Sequence, residues 1–311
     1  MMLPYVGNGA YCYANSLYMS LLGAGANADE LSGPGFLECL TTVPFGNLYL
    51  ALEDGPMVFF SGANIDPDDG LTRALHTLGW SCQVYRGQVP EEAMAHLKEA
   101  VEVGPILVGP IDMGWLSYHP EHAKQAGADH FVAVLAIEGA YVHLHDPQGY
   151  PCAVLSHTEF LQAWNAEHLS YSHAPYTFRH AFRKVEQVSR QEMISRSLPH
   201  LRGNIEADPG GPVAYGGVRV FSLLANDVRG GIPASLEGHL LSFALPLAAR
   251  RNVDAAAFLR EADRQEAANI LEQQASLFGL AQYRGAHHQW QEVAAIMEQL
   301  GALEEKLVIL L

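Results

Sequence analysis

Apolar positions change their period along this chain, and the change divides it. Up to about residue 180, short apolar runs of strand type alternate with helical segments; from about 186 onward the pattern is helical. The first helix starts near Cys12 and carries Ala14, Leu17, Tyr18, Leu21 and Leu22 on one face before Gly23 and Gly25 end it. Residues 56–61 read as a strand and 66–79 as a helix with an acidic first turn, which suits the positive end of the helix dipole. A strand at 81–86, a helix at 90–103 opened by Pro90-Glu91-Glu92, and a strand at 105–109 follow.

The clearest element is a hairpin. Residues 130–137 and 141–145 are β-rich runs joined by Glu138-Gly139-Ala140, and the second runs into the turn Asp146-Pro147-Gln148-Gly149. A further strand is expected at 152–155. Residues 187–201, 212–228, 233–250, 253–278 and 286–310 favour helix, with breaks at 203–212 and 229–233. The expected organisation is an α+β domain over 1–185 followed by an all-helical domain over 186–311, without internal repeats.

Composition narrows the class. The 311 residues are 49% hydrophobic and 17% charged, which describes a compact globular protein. The formal net charge of −16 argues against nucleic acid and against an anionic membrane as partners, since both need a basic face. Nearly all of that charge sits early: residues 1–180 hold 19 acidic and 5 basic residues, and the rest of the chain is close to balance. Cys12, Cys39, Cys82 and Cys152 are too sparse for a disulfide framework. The first residues lack the basic and apolar regions of a signal peptide, and no apolar run approaches membrane-spanning length. The expectation is a cytoplasmic protein with reduced thiols.

Three positions suggest chemistry. Cys12 opens a helix, whose partial positive charge favours a thiolate. His130 begins one hairpin strand and Asp146 ends the other, so the hairpin brings an imidazole and a carboxylate to one sheet end. An imidazole can take the thiol proton, and a carboxylate can fix its tautomer. His145 is the rival base; with Tyr11, Tyr13 and Trp115 it is also a candidate to line a substrate pocket, although packing is the plainer role for each aromatic. Cys39, Cys82 and Cys152 read as inert thiols, and Asn15 and Ser16 as helix packing and capping residues. His119 and His122 flank a proline in a loop, and His287 and His288 are adjacent, so neither pair has helical metal-ligand spacing. No metal is expected, and the segment GVRVFSLLANDVRGG is no phosphate-binding loop.

The order Cys, His, Asp, with the Cys on an early helix, resembles the papain-like cysteine peptidase superfamily. The segment DHFVAVLAIEGAYVHLHDP is similar to the His-to-Asp segment of bacteriocin-processing (C39-type) peptidases. With GNGAYCYANSLYMSLL at the front and a long helical second half, the chain further resembles the butirosin biosynthesis protein H family, whose helical domain is of the DUF4872 type. That resemblance implies a papain-like fold and an acyltransferase of specialised metabolism, such as antibiotic biosynthesis. An acyl group would pass from an acyl carrier protein or coenzyme A thioester, through Cys12, to an amine such as an aminoglycoside or polyamine. Cys12 would be the nucleophile, His130 the base and acid, and Asp146 the orienting residue. The thioester is a co-substrate, and no tightly bound cofactor is implied.

One position departs from the pattern: papain-like peptidases carry a Gln six residues before the Cys, and here that residue is Val6. Asn8 is the candidate replacement in the oxyanion hole, together with the backbone N–H of Cys12. The acidic first half suits a cationic acceptor. An acidic carrier would need a basic surface, for which Arg183, Arg190, Arg196 and Arg202 are candidates, and the helical domain is a candidate homodimer surface. The competing readings are a peptidase or amidase with water as acceptor, and a papain-like fold kept as a non-catalytic binding module.

Overall fold

The computed structural model describes residues 3–7, 11–169 and 171–311. They form two compact units: residues 1–37 with 78–188, and residues 38–77 with 189–311. The chain leaves the first unit within one helix, Pro34–Thr41, and returns after another, Pro67–Thr77. The chain thus crosses between the units three times, and a single cut near residue 185 finds the third crossing without the excursion of 38–77.

The first unit is built on a six-stranded antiparallel sheet. Its strands are β1 (Trp80–Gly87), β2 (Ile106–Asp112), β3 (Asp129–Glu138), β4 (Tyr141–Asp146), β5 (Tyr150–Ser156) and β6 (Tyr176–Lys184), in the spatial order β1-β6-β2-β3-β4-β5. Every residue of β2 is buried, as expected of a near-continuous apolar run at the sheet centre. The edge strand β5 instead alternates in and out. β2 runs through Pro110 to Asp112 because its pairing with β3 shifts between Val108 and Ile111, so the missing N–H of proline falls at a bulge. Gly109 at that bulge is a true requirement: a Cβ there would lie 2.3 Å from the Phe131 ring.

The main core of this unit lies between the sheet and two helices, α2 (Pro90–Val101) and α3 (His157–Trp164). Ala93, Met94, Leu97 and Ala100 recur at helical spacing on α2. Trp164 on α3 is fully buried, and its indole N–H donates to the carbonyl of Thr177 at 3.0 Å. A Ser156/Glu159 capping box starts α3.

The helix α1 (Cys12–Gly23) differs from the one-faced helix its pattern predicts: Tyr13 through Leu21 are all buried. Among its inward-facing polar residues, Ser16 Oγ donates to the carbonyl of Phe131 on β3 at 3.0 Å. The ring of Tyr13 meets Phe131 edge-on at 6.0 Å. These ties fix α1 against the strand that begins with His130.

The second unit corrects the all-helical expectation. Its C-terminal region is helical, but a strand at Ala214–Gly216 pairs with Leu48–Leu52, which also pairs with Gly55–Phe59. The helix expected over 212–228 accordingly starts at Arg219 and ends at Gly230. The expected break near 250 is absent: the chain stays helical from Ala234 to Glu261, with one wider turn at Leu240–Ala244 just before Pro246, which has no N–H to offer the Ser242 carbonyl. The real break lies at Asp263, in the left-handed conformation (φ 56°), and helices Gln265–Ala286 and Trp290–Leu310 follow. Val220, Phe221, Leu224 and Val228 lead a core shared with Phe278, Met297 and Leu300. Two polar features interrupt that interior. Arg251 holds Glu38 through Nε and Nη2 at 3.0 and 2.8 Å, and Glu304 accepts from Asn47 and Gln274 at 2.8 and 2.7 Å.

Candidate active site

Cys12 is the first residue of α1, and the residue before it is strained. Tyr11 is in the left-handed region (φ 66°, ψ 44°), which an aromatic residue seldom adopts. The chain thus turns sharply into the helix and leaves Cys12 partly exposed at the helix N-terminus. Tyr11 supplies no side-chain cap and the first turn holds no acidic residue, so the dipole there is not offset by a carboxylate.

His130 is the second residue of β3 and is 2% exposed. The pairing of β3 with β4 joins Ala133 to His145, and one further step sets Asp146 beside Val132. His130 is then the diagonal neighbour of Asp146 rather than its direct opposite, still within reach of a long side chain. Its Nε2 lies 2.7 Å from Asp146 Oδ1. The Cys12 side chain is the second group acting on His130, and with Nε2 taken by Asp146 the nitrogen left for it is Nδ1.

The electrostatics follow from burial and charge. Burial alone would push the His130 imidazole down, but the Asp146 carboxylate and the Cys12 side chain outweigh it and hold His130 well above its ordinary value. Burial likewise acts to raise Asp146, and the His130 charge, the Gln148 N–H and the Tyr118 hydroxyl together bring it below the usual carboxylate range. Asp146 is fully buried with donors on both oxygens: Oδ1 accepts from His130 and from the Gln148 N–H at 2.7 Å, and Oδ2 accepts from Tyr118 Oη at 2.7 Å. Its main-chain carbonyl accepts from Tyr5 Oη at 3.0 Å.

The other sequence candidates part company here. Asn8 lies outside the described residues, while Val6 is described and has no polar side chain. His145 is no rival base: it is buried, its Nδ1 accepts the Cys152 N–H at 3.0 Å, and its Nε2 is 3.0 Å from the Leu3 carbonyl. Those partners assign the proton to Nε2 and leave no lone pair for catalysis. Tyr11 and Tyr13 are buried, so packing dominates their surroundings; Trp115 is 45% exposed on the loop after β2. His119 and His122 are occupied within that loop, His119 Nδ1 by the Glu121 N–H at 3.1 Å and His122 Nδ1 by the Gly114 carbonyl at 2.6 Å.

The four arginine candidates are divided between the units. Arg183 lies on β6 of the first unit, whereas the other three lie on the helix Arg190–Ile205 of the second. On an α-helix a spacing of six residues turns the side chain by about 240°, so Arg190, Arg196 and Arg202 point in three directions. Each also faces a carboxylate, from Glu261, Glu192 and Glu206 respectively. Tyr118 is the residue that sequence reasoning missed. It sits in a loop without periodicity, and its sole signal was an aromatic beside His119 in the segment leading to the His130 strand.

The first unit is therefore a mixed α/β body with a central antiparallel sheet, and at one sheet end a helix-borne thiol, an imidazole and a buried carboxylate stand in series. Comparison with known proteins names no chemistry for this chain. Residues 212–311 match the family described as the YobF C-terminal domain. The chain is 29% identical over 307 residues to a protein described as uncharacterized protein YobF, from Bacillus subtilis (strain 168), covering 98% of this chain and 96% of that one. Among the described residues, no helix is long and apolar enough to cross a membrane.

Proposed function

We propose that this protein is a papain-like cysteine acyltransferase that forms an amide from a thioester and an amine. One observation carries the reading: a fully buried carboxylate holds His130 Nε2 at 2.7 Å, and the Cys12 side chain acts on the same imidazole. A thiol used only for packing needs neither a polarised imidazole nor a carboxylate behind it. The strained turn at Tyr11 supports the same reading, since strain of this kind collects where a side chain must be presented. The resemblance to the butirosin biosynthesis protein H family supplies the reaction class.

In the first half-reaction, Cys12 Sγ attacks the thioester carbonyl carbon. The tetrahedral intermediate collapses with loss of the donor thiolate, which takes the proton from His130 Nδ1. In the second, the amine attacks the acyl-Cys12 carbonyl and gives its proton to His130, and Cys12 leaves as thiolate as the amide forms. Asp146 stabilises the imidazolium in both. The Cys12 backbone N–H, at the positive end of α1, is a natural donor to the oxyanion. The excess of acidic residues in 1–180 favours a cationic amine as acceptor. The donor is an acyl carrier protein or coenzyme A thioester; the scattered, ion-paired arginines of Arg190–Ile205 give an acidic carrier no continuous basic face there.

The test is product analysis. With an acyl thioester and a polyamine or aminoglycoside, the account expects amide to exceed free acid, and Cys12→Ala to abolish both. Free acid alone would make the protein a hydrolase, and no turnover with any thioester would favour a binding module.

A further inference from the structure

We propose that Tyr118 is a positioning residue for this site: its hydroxyl locks the Asp146 carboxylate so that Oδ1 faces His130, and draws part of its charge to Oδ2. This deepens the reading of Cys12, His130 and Asp146 as a working triad and rests on it. Three donors converge on one carboxylate, and they divide unequally: His130 Nε2 and the Gln148 N–H on Oδ1, the Tyr118 hydroxyl on Oδ2. The Gln148 N–H comes from the same turn as Asp146 and moves with it. Tyr118 comes from the loop between β2 and β3, 28 residues away, so it alone ties the far oxygen to a separate piece of chain. Its ring packs against Tyr150, at the start of β5, with centroids 5.4 Å apart, which fixes the direction of the hydroxyl. Tyr5 holds the main-chain carbonyl of the same residue.

A hydrogen bond to a carboxylate oxygen lowers the negative charge available to the other one. Tyr118 therefore moderates how strongly Asp146 stabilises the imidazolium, and so how readily His130 gives its Nδ1 proton to the departing thiolate. The groups that set the His130 charge are Asp146 and Cys12, and those acting on Asp146 are His130, the Gln148 N–H, Tyr118 and, through its carbonyl, Tyr5; Tyr150 and Tyr5 act on Tyr118 in turn. Burial, followed by the neighbouring carboxylate, pushes the Tyr118 hydroxyl well above its ordinary value, so it stays protonated and remains a donor.

The experiment is an NMR titration of the His130 imidazole in the full chain, for the wild type, Tyr118→Phe and Tyr118→3-fluorotyrosine. Phenylalanine keeps the ring against Tyr150 and removes the donor; fluorination makes the donor stronger. The expected result is a midpoint displaced upward in Tyr118→Phe and downward in Tyr118→3-fluorotyrosine, each by at least about 0.3 pH units, a twofold change in proton affinity. If Tyr118→Phe fails to fold, the fluorinated protein carries the test alone. Midpoints unmoved in the variants, with the wild type titrating above 6.5, would overturn the role of Tyr118 and leave the triad standing. A wild-type His130 titrating at or below 6.5 would overturn the triad itself.

Discussion

Replacing Asp146 by alanine and by asparagine should give sharply different proteins. All three groups on the carboxylate are donors, in a site where Asp146 and His130 are 0% and 2% exposed. Asp146→Ala strands all three. Each orphaned buried donor costs about 1–3 kcal/mol, and breaking a buried ion pair from one side costs about 3–5 kcal/mol as a whole. Asp146→Asn keeps its oxygen at the Oδ1 position for His130 and Gln148 and puts its NH2 toward Tyr118, whose hydroxyl can rotate and accept. The loss is then one charge and no hydrogen bond, about 1 kcal/mol. The assay is urea unfolding followed by tryptophan emission, since Trp80, Trp115 and Trp164 all lie in this unit. At a slope of about 2 kcal/mol per molar, alanine should lower the midpoint by roughly 1.5–2.5 M and asparagine by about 0.5 M. Equal losses for the two variants would refute the argument from donor count. So would an alanine variant as stable as the wild type.

The pH dependence of stability should show the same pair. His130 is raised, so its contribution is complete below about pH 6.5 and is lost as pH rises through the folded value; Asp146 is lowered, so its contribution is complete above about pH 3.8 and is lost as pH falls through the folded value. The Tm difference between wild type and Asp146→Asn should therefore be largest between about pH 4 and 6.5, and a difference that keeps growing above that window would contradict this assignment. In the second unit, burial raises Glu304, and the amides of Asn47 and Gln274 only partly offset it, so its ionisation opposes folding as pH rises above its ordinary 4.5. Glu304→Gln, with the Asn47 amide turned to accept, should raise Tm more at pH 8 than at pH 5, by about 2–4 °C per kcal/mol; an equal fall at both would refute it.

What the sequence made legible is what local pattern controls. The hairpin ending at Asp146 and the helix beginning at Cys12 follow from turn residues and apolar period, and both stand within a residue of their expected ends. No expected element covers the strand Tyr176–Lys184, which pairs on both sides within the sheet; Arg179, His180, Arg183 and Lys184 interrupt its apolar pattern. The excursion of 38–77 was hidden for a different reason: membership of a core is a long-range property, and Glu38 declares it through Arg251, 213 residues away. Tyr118 was invisible likewise, since only the fold brings a loop hydroxyl to a carboxylate 28 residues on. The basic surface was not legible either, because Arg190, Arg196 and Arg202 recur every six residues, an interval that spreads them around a helix of 3.6 residues per turn.

The central claim is that Cys12 takes an acyl group. Intact-protein mass spectrometry after incubation with a panel of acyl thioesters tests it most directly. The account predicts a mass gain equal to one acyl group, mapped to Cys12, absent in Cys12→Ala and discharged when a polyamine or aminoglycoside is added. A protein that gains no mass with any thioester, or gains the same mass in Cys12→Ala, would contradict it.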